Sequence, residues 1–284
     1  MQTIYVGNTL INDVFVGSVR MDDVLEVNQG IDQNVRNFAL AAGINDTPII
    51  NSLDTFVSQL KSNNLWNKFY ALYPLVGGSA NSCKWNLITT SSFTVNYTGS
   101  FNFTSTGLSG SGTTSNINTT FTPSIDSADW ATNNSYGVYV NTNISGGYDM
   151  GAGSPFPASP AGADTYLISR FTGDTAYFFN SSSITVASTD SRGFWFGCVS
   201  GSSGTNMNLY KNGTSVASKA SPTTYTITRP LFFTANNPES GLIANENSMR
   251  QYSLSFIARA FNSTEASTLY NIVQAFQTSL GRNV

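Results

Sequence analysis

The chain has 284 residues, a formal net charge of −3, and only 10% charged residues, against about 25% in an average soluble protein. It lacks the clustered Lys and Arg that nucleic acid requires and any apolar run near the ~18 residues that span a bilayer. It also lacks the basic and apolar regions of a secretory signal at its start. Aromatics at 13%, 24 glycines, and Ser, Thr and Asn at about a third of positions suit pleated strands joined by turns, the composition of an all-β extracellular or surface protein.

The chain opens on a repeat. Ile4-Tyr5-Val6-Gly7-Asn8 returns ten residues later as Val14-Phe15-Val16-Gly17-Ser18, with a degraded copy at Val24-Leu25. Residues 3–27 are expected to form a small β-meander. A unit of this size cannot bury its apolar groups alone. Ile4, Tyr5, Val6, Val14, Phe15 and Val16 are therefore the expected docking residues. Residues 28–50, with Asn28, Gly30, Asn34, Gly43 and Pro48, have the character of a spacer loop.

A helical hairpin is expected over residues 52–73. Leu53, Phe56, Val57 and Leu60 recur at helical spacing after Asn51 and Ser52, and Asn63-Asn64 interrupts them. Leu65, Trp66, Phe69, Tyr70 and Tyr73 suggest a second short helix, stopped by Pro74. The division is thus 1–27 docking module, 28–82 linker and hairpin, and 83–284 sandwich with a terminal helix. From Cys83 to about Ala260, ten or more short segments alternate or run apolar between turns, as in an antiparallel two-sheet sandwich. The clearest hairpin is Met207 to Ala217, where Asn212-Gly213 suits a type I′ turn. Residues 146–163, with Pro155, Pro157 and Pro160, are expected as a surface loop. Asn262 and Glu265 are spaced as a capping box for a helix over 263–280, with Ala266, Leu269, Tyr270, Val273, Phe276 and Leu280 as its buried stripe and Gly281 as its stop.

The chemical inventory is narrow. The chain has no histidine, so His-based triads, His-containing zinc sites and a His general base are absent. Two cysteines are too few for a disulfide framework, and Cys198 fits a small core residue. A Cys83–Cys198 bridge would need an oxidising compartment.

Three blocks resemble the concanavalin A-like (laminin-G-like jelly-roll) domains of tailed-phage structural proteins. They are Leu65-Trp66-Asn67-Lys68-Phe69-Tyr70 through Gly77-Gly78, Leu209-Tyr210-Lys211-Asn212-Gly213, and Phe256-Ile257-Ala258 through Gly281-Arg282. The opening repeat is also similar to short β-repeats of phage virion proteins. The resemblance covers about residues 50–284. It implies a mainly β jelly roll on a virion surface, made in the host bacterial cytoplasm, and it does not imply one activity.

Three functions are weighed on this basis. The first is a non-enzymatic surface protein, a capsid decoration, head fibre or tail appendage, docked to other virion proteins through the repeat and expected as a homo-oligomer. The second is a receptor-recognition lectin for host surface glycans, with Trp130, Tyr136, Tyr148 and Asp149 supplying aromatic platforms and polar groups. The third, glycan hydrolysis, needs two carboxyls about 5 Å apart in a retaining enzyme. The four glutamates, Glu26, Glu239, Glu246 and Glu265, do not form such a pair on one strand, and Asp126 and Asp129 read as turn and cap residues. No catalytic residue, cofactor or metal is expected; Asp149, Asp164 and Asp174 could contribute to calcium but lack ligand spacing.

Overall fold

The computed structural model describes residues 4–6, 9–11, 15–16, 19–20, 30–112, 114–153, 164–180, 182–201, 205–221, 227–237 and 247–284. The first strands are β1 (Ile4–Val6), β2 (Thr9–Ile11), β3 (Phe15–Val16) and β4 (Val19–Arg20). β1 pairs with β2 and β3 with β4, each pair a two-stranded sheet of its own. Val14 and Val24 lie outside the described residues.

The expected spacer contains a helix, α1 (Gln33–Ala42), so that expectation is corrected. Its signal is a stripe of Val35, Phe38, Ala39 and Ala42 at i, i+3, i+4 and i+7, buried on one face. The Asp32 side chain accepts from the Asn34 amide at the start, and Gly43 at φ 68° closes the end. Helix α2 (Thr47–Ser62) starts earlier than the Asn51-Ser52 expectation. Asp46 caps it by accepting from the Ile49 amide, and Pro48 sits in its first turn, where a missing N–H is harmless.

The second helix of the expected hairpin is replaced by a 3-10 turn, Trp66–Lys68, and strand β5 (Phe69–Tyr73). Apolar groups at nearly every position of Phe69–Tyr73 fit either period, and burial on both faces selects the strand. Phe69 and Leu72 enter one core, while Ala71 and Tyr73 enter the other.

The sandwich follows as β6 (Asn96–Thr98), β7 (Phe101–Thr104), β8 (Gly107–Gly110), β9 (Asn116–Asn118), the short α3 (Pro123–Asp126), β10 (Asn133–Val140) and β11 (Met150–Ala152). It continues as β12 (Thr165–Phe171), β13 (Thr175–Asn180), β14 (Ser183–Ala187), β15 (Gly193–Ser200), β16 (Thr205–Lys211) and β17 (Thr214–Ser221). It ends with β18 (Phe232–Phe233), β19 (Asn236–Asn237), β20 (Gln251–Ala258) and helix α4 (Ser263–Ser279).

Two eight-stranded sheets result. The first runs β17-β16-β15-β10-β20-β8-β7, with β5 also on β20; the second runs β14-β13-β12-β11-β18-β9-β6, with β19 on β11. Their pairs are antiparallel apart from the short β11–β19 contact. The chain is therefore a mainly β, jelly-roll-like sandwich. The Asn212-Gly213 hairpin has φ values of 50° and 75°, as a type I′ turn requires.

The first sheet is a middle layer, and this explains its sequence. Val138, Trp195, Leu209 and Ile257 face the second sheet, where they meet Leu167, Phe178 and Ile184. On the opposite face Tyr139, Phe194, Phe196 and Phe256 pack on Phe38, Leu53, Phe56, Leu269 and Phe276 of α1, α2 and α4. A strand buried on both faces needs apolar or small groups at every position, as in Gly193-Phe194-Trp195-Phe196-Gly197-Cys198-Val199. Gly197 is required by close approach, because a Cβ there would fall 2.1 Å from the Phe178 ring.

Candidate functional site

The jelly roll takes most of the expected sugar-contact residues into its interior, which corrects that assignment. Trp130 is buried, with Phe121 at 5.2 Å and Tyr136 at 6.3 Å between ring centroids. Tyr136 is fully buried, and its hydroxyl lies 2.6 Å from Thr165 Oγ1. Asp149 was expected in a surface loop, yet it adjoins β11 and is completely buried. Its Oδ1 accepts from Arg250 Nη1 at 2.8 Å and from the Tyr252 hydroxyl at 2.6 Å, and its Oδ2 accepts from the Ser169 amide.

Arg250, also wholly buried, donates further to the carbonyls of Ile144, Gly147 and Arg170. The pair ties the 144–149 segment to β12 and β20. It has neither an oxygen left for a cation nor a surface for a sugar. The Asp174 carboxylate is likewise engaged by Arg170, at 2.7 Å.

Tyr148 alone of the four reaches the surface, and it marks a different place. Along β12 and β13, Leu167, Ala176 and Phe178 point into the core, so Tyr166, Ile168, Tyr177 and Phe179 point outward. Tyr166 pairs with Phe179 and Ile168 with Tyr177 across the two strands. The three long helices pack on the first sheet, so the outward face of the second carries this row unroofed by them.

The Tyr166 and Phe179 rings stack at 5.0 Å with 7° between planes, and Tyr148 meets Tyr166 edge-on at 5.2 Å and 85°. Phe171 meets Tyr177 edge-on at 5.9 Å. Tyr148, Tyr166, Tyr177 and Phe179 are each half-buried. On the side of Phe179 away from Tyr166 stands Ser183, and beside Tyr177 stands Thr185, both exposed on edge strand β14. These small polar groups leave the flank of the aromatic row open. The adjoining cation is neutralised: Arg170 donates to Asp174 Oδ1 and to Asn143 Oδ1, each at 2.8 Å. An apolar, uncharged strip bordered by hydroxyls suits a ligand with apolar faces and hydroxyl edges.

Other features belong to packing. A shallow groove of about 190 Å³ between α2 and α4 is floored by Phe56 and Phe276, which stack at 4.4 Å as part of the helix interface. Cys83 and Cys198 are both free and buried in separate cores. Burial pushes each thiol up to about 11. Asp126 accepts from the Thr122 amide and Asp129 from Asn133 Nδ2, as turn and cap residues do. Glu265 is held in the capping box of α4 and by Lys68 at 2.6 Å. Glu26, Glu239 and Glu246 lie outside the described residues.

No protein-family model matches the chain, and no curated protein matches it in sequence. In three dimensions it is similar to Trypanosoma rangeli sialidase. A mutant of that enzyme displaying trans-sialidase activity aligns with a TM-score of 0.53 and 11% identity, over 80% of this chain and 39% of the sialidase. The sialidase in complex with sialic acid aligns with the same TM-score and 10% identity over the same shares. A botulinum neurotoxin type C structure, from work on cell entry through two ganglioside molecules, aligns at 0.48 with 15% identity, over 75% of this chain and 53% of that one. The chain thus spans well under half the length of the sialidases, and the likeness establishes the β-sandwich fold.

Among the described residues, no helix is long and apolar enough to cross a membrane.

Proposed function

We propose that this chain is a non-catalytic, lectin-like surface protein that binds glycans through the outward face of its second sheet. The observation that carries the reading is the half-buried aromatic row Tyr148–Tyr166–Phe179, bordered by the exposed serine and threonine of β14. Sugar recognition joins aromatic contact with the apolar face of a pyranose to polar contact with its hydroxyls, and the row offers both. The resemblance to tailed-phage structural proteins supplies the setting: a capsid decoration, head fibre or tail appendage on the virion surface. The N-terminal hairpins support a docking role, since β1–β4 pair among themselves and with neither large sheet. Other virion proteins, or copies of this chain, are their proposed partners.

Absence of catalysis is part of the proposal. The engagement of Glu265 in its cap and of Asp149 with Arg250 supports it, because neither carboxylate is free to act on a glycosidic bond. The test is a glycan array probed with the intact chain and with Tyr166→Ala. Binding by the wild type that falls at least tenfold in the variant supports the proposal. Binding that ignores the change, or release of reducing sugar from a bound glycan, contradicts it.

A further inference from the structure

The first sheet ends on one side in a strand whose outer edge is open. In the order β17-β16-β15-β10-β20-β8-β7, β17 (Thr214–Ser221) pairs with β16 alone. At eight residues it is longer than the other terminal strands, β7 with four, β14 with five and β6 with three. Among the described residues its backbone makes no backbone hydrogen bond beyond that pairing, and Ser218, Lys219 and Ala220 are exposed. A row of unpaired N–H and C=O groups is a template for another strand, and proteins blunt such edges with short strands, prolines, charges or bulges. Residues 214–221 read Thr-Ser-Val-Ala-Ser-Lys-Ala-Ser, with no proline, no aromatic and a single charge, Lys219.

That lysine and a bulge decide what can be added. Leu209 pairs with Ala217 and Tyr210 with Ser215, so Val216 is the extra residue of a β-bulge and β17 runs regularly only beyond it. Ala217 and Lys219 pair with Leu209 and Met207 and share their face toward the second sheet, while Ser218 pairs with Asn208 on the opposite face. When identical strands pair antiparallel about a two-fold axis in one sheet, each residue meets a residue of its own face. Centring on Lys219 would set lysine against lysine, which is unfavourable. Centring on Ser218 sets serine against serine and each Lys219 against Ala217 of the other copy.

We propose that β17 is the edge through which two copies of this chain pair, antiparallel about a two-fold axis at Ser218. The occupant is a second copy because the strand meets the terms of self-pairing: an open edge, small residues around the axis, and a register in which no like charges are opposed. The two first sheets then continue as one sheet. The axis stands perpendicular to it, so both helical layers fall on one side and both second sheets on the other. Their outward faces look the same way, which lets one particle surface or one glycan-bearing surface be engaged at two points. The pairing itself does not rest on what those faces bind.

The experiment is sedimentation equilibrium of the intact chain over a concentration series, with Ser218→Lys and Ser218→Glu compared. Position 218 is exposed on an edge strand, so both variants are expected to keep the wild-type circular dichroism spectrum. The wild type is expected to self-associate and each variant alone to show half its mass, because like charges then face each other at the axis. An equimolar mixture of the two variants is expected to recover the wild-type mass, since lysine then faces glutamate. A wild type that is monomeric throughout overturns the proposal and leaves the edge to a different protein. A mass unchanged in both variants places self-association elsewhere, such as the N-terminal hairpins, and overturns it too. Masses that fall in both variants and are not recovered on mixing overturn the register at Ser218. Ser218→Cys, close in size to the native residue, keeps the test open if a charge at 218 disturbs folding. Residues opposed in an antiparallel pair stand about 4.5–5.5 Å apart at Cα, within reach of a disulfide. With oxidised glutathione as the electron acceptor, this variant is expected to link two copies covalently, while the wild type, whose two cysteines are buried, does not. No link in Ser218→Cys overturns the proposal.

Discussion

Asp149 and Arg250 illustrate how much at the residue scale depends on partners far away in sequence. In the sequence, Asp149 stands among glycines and next to an aromatic, which fits a loop carboxylate awaiting a ligand. Its partner is 101 positions away, and no local pattern announces it. Removing one member of a buried, hydrogen-bonded ion pair leaves the other charge uncompensated, at a cost of about 3–5 kcal/mol. Arg250→Ala is therefore expected to lower the unfolding free energy in urea by that amount. A loss below about 1 kcal/mol would mean that water or another cation reaches Asp149. The cysteines give a second check at this scale. With both thiols buried and pushed up to about 11, neither is expected to react with a thiol reagent at pH 8 until the chain is unfolded, when both react. Fast labelling of either residue in the native protein would contradict the packing described. Tyr166 and Phe179 lie in two of the short segments that alternate or run apolar between turns, so their strands were legible. What stayed hidden was which parity faces out, because that depends on which sheet receives the helices.

Elements with strong local signals were the most legible. The Asn262–Glu265 spacing predicted the α4 capping box, and both of its hydrogen bonds are present, at 2.9 and 2.8 Å. Asn262→Ala is expected to cost about 1 kcal/mol, read from the shift of the urea midpoint. Helix α1 was missed because its four buried residues are diluted by Gln, Asn and Arg, although their spacing was helical. Strand β5 was missed because an unbroken apolar run fits two periods, and the choice lies with β20, with which it pairs. The start of α1 also carries a pH-dependent contact. Burial raises the Asp32 pKa, but the Lys61 ammonium at 2.6 Å and the Asn34 amide outweigh it and hold the carboxyl below the ordinary carboxylate range. A depressed folded-state pKa stabilises above the unfolded value, about 3.9, and that stabilisation is lost as the pH falls through the folded value. The α1–α2 contact is thus expected to weaken below about pH 4. Replacing Lys61 with Met should flatten the acid limb of urea midpoints measured from pH 5 to 2.5, and an unchanged limb would remove Asp32 from the account.

At the scale of the whole molecule, three layers decide where a ligand has access. Helices α1, α2 and α4 cover one face of the first sheet and the second sheet covers the other, so among the described residues no long helix packs on the outward face of the second sheet. Composition and turn spacing made the sandwich legible. The asymmetry of its layers was not, since it arises from tertiary burial of a middle sheet. The N-terminal hairpins supply a separate expectation. Deleting residues 1–27 should leave a soluble sandwich with an unchanged circular dichroism spectrum that no longer joins particles, and full occupancy by the truncated chain would move the anchor elsewhere. The central claim is that the outward face of the second sheet is the working surface. Hydrogen–deuterium exchange of the intact chain, with and without the strongest glycan from the array, tests it most directly. The account predicts that protection concentrates in residues 148–152, 165–179 and 236–237, with α2 and α4 unchanged. Protection confined to the helical layer, or spread evenly over both sheets, would contradict it.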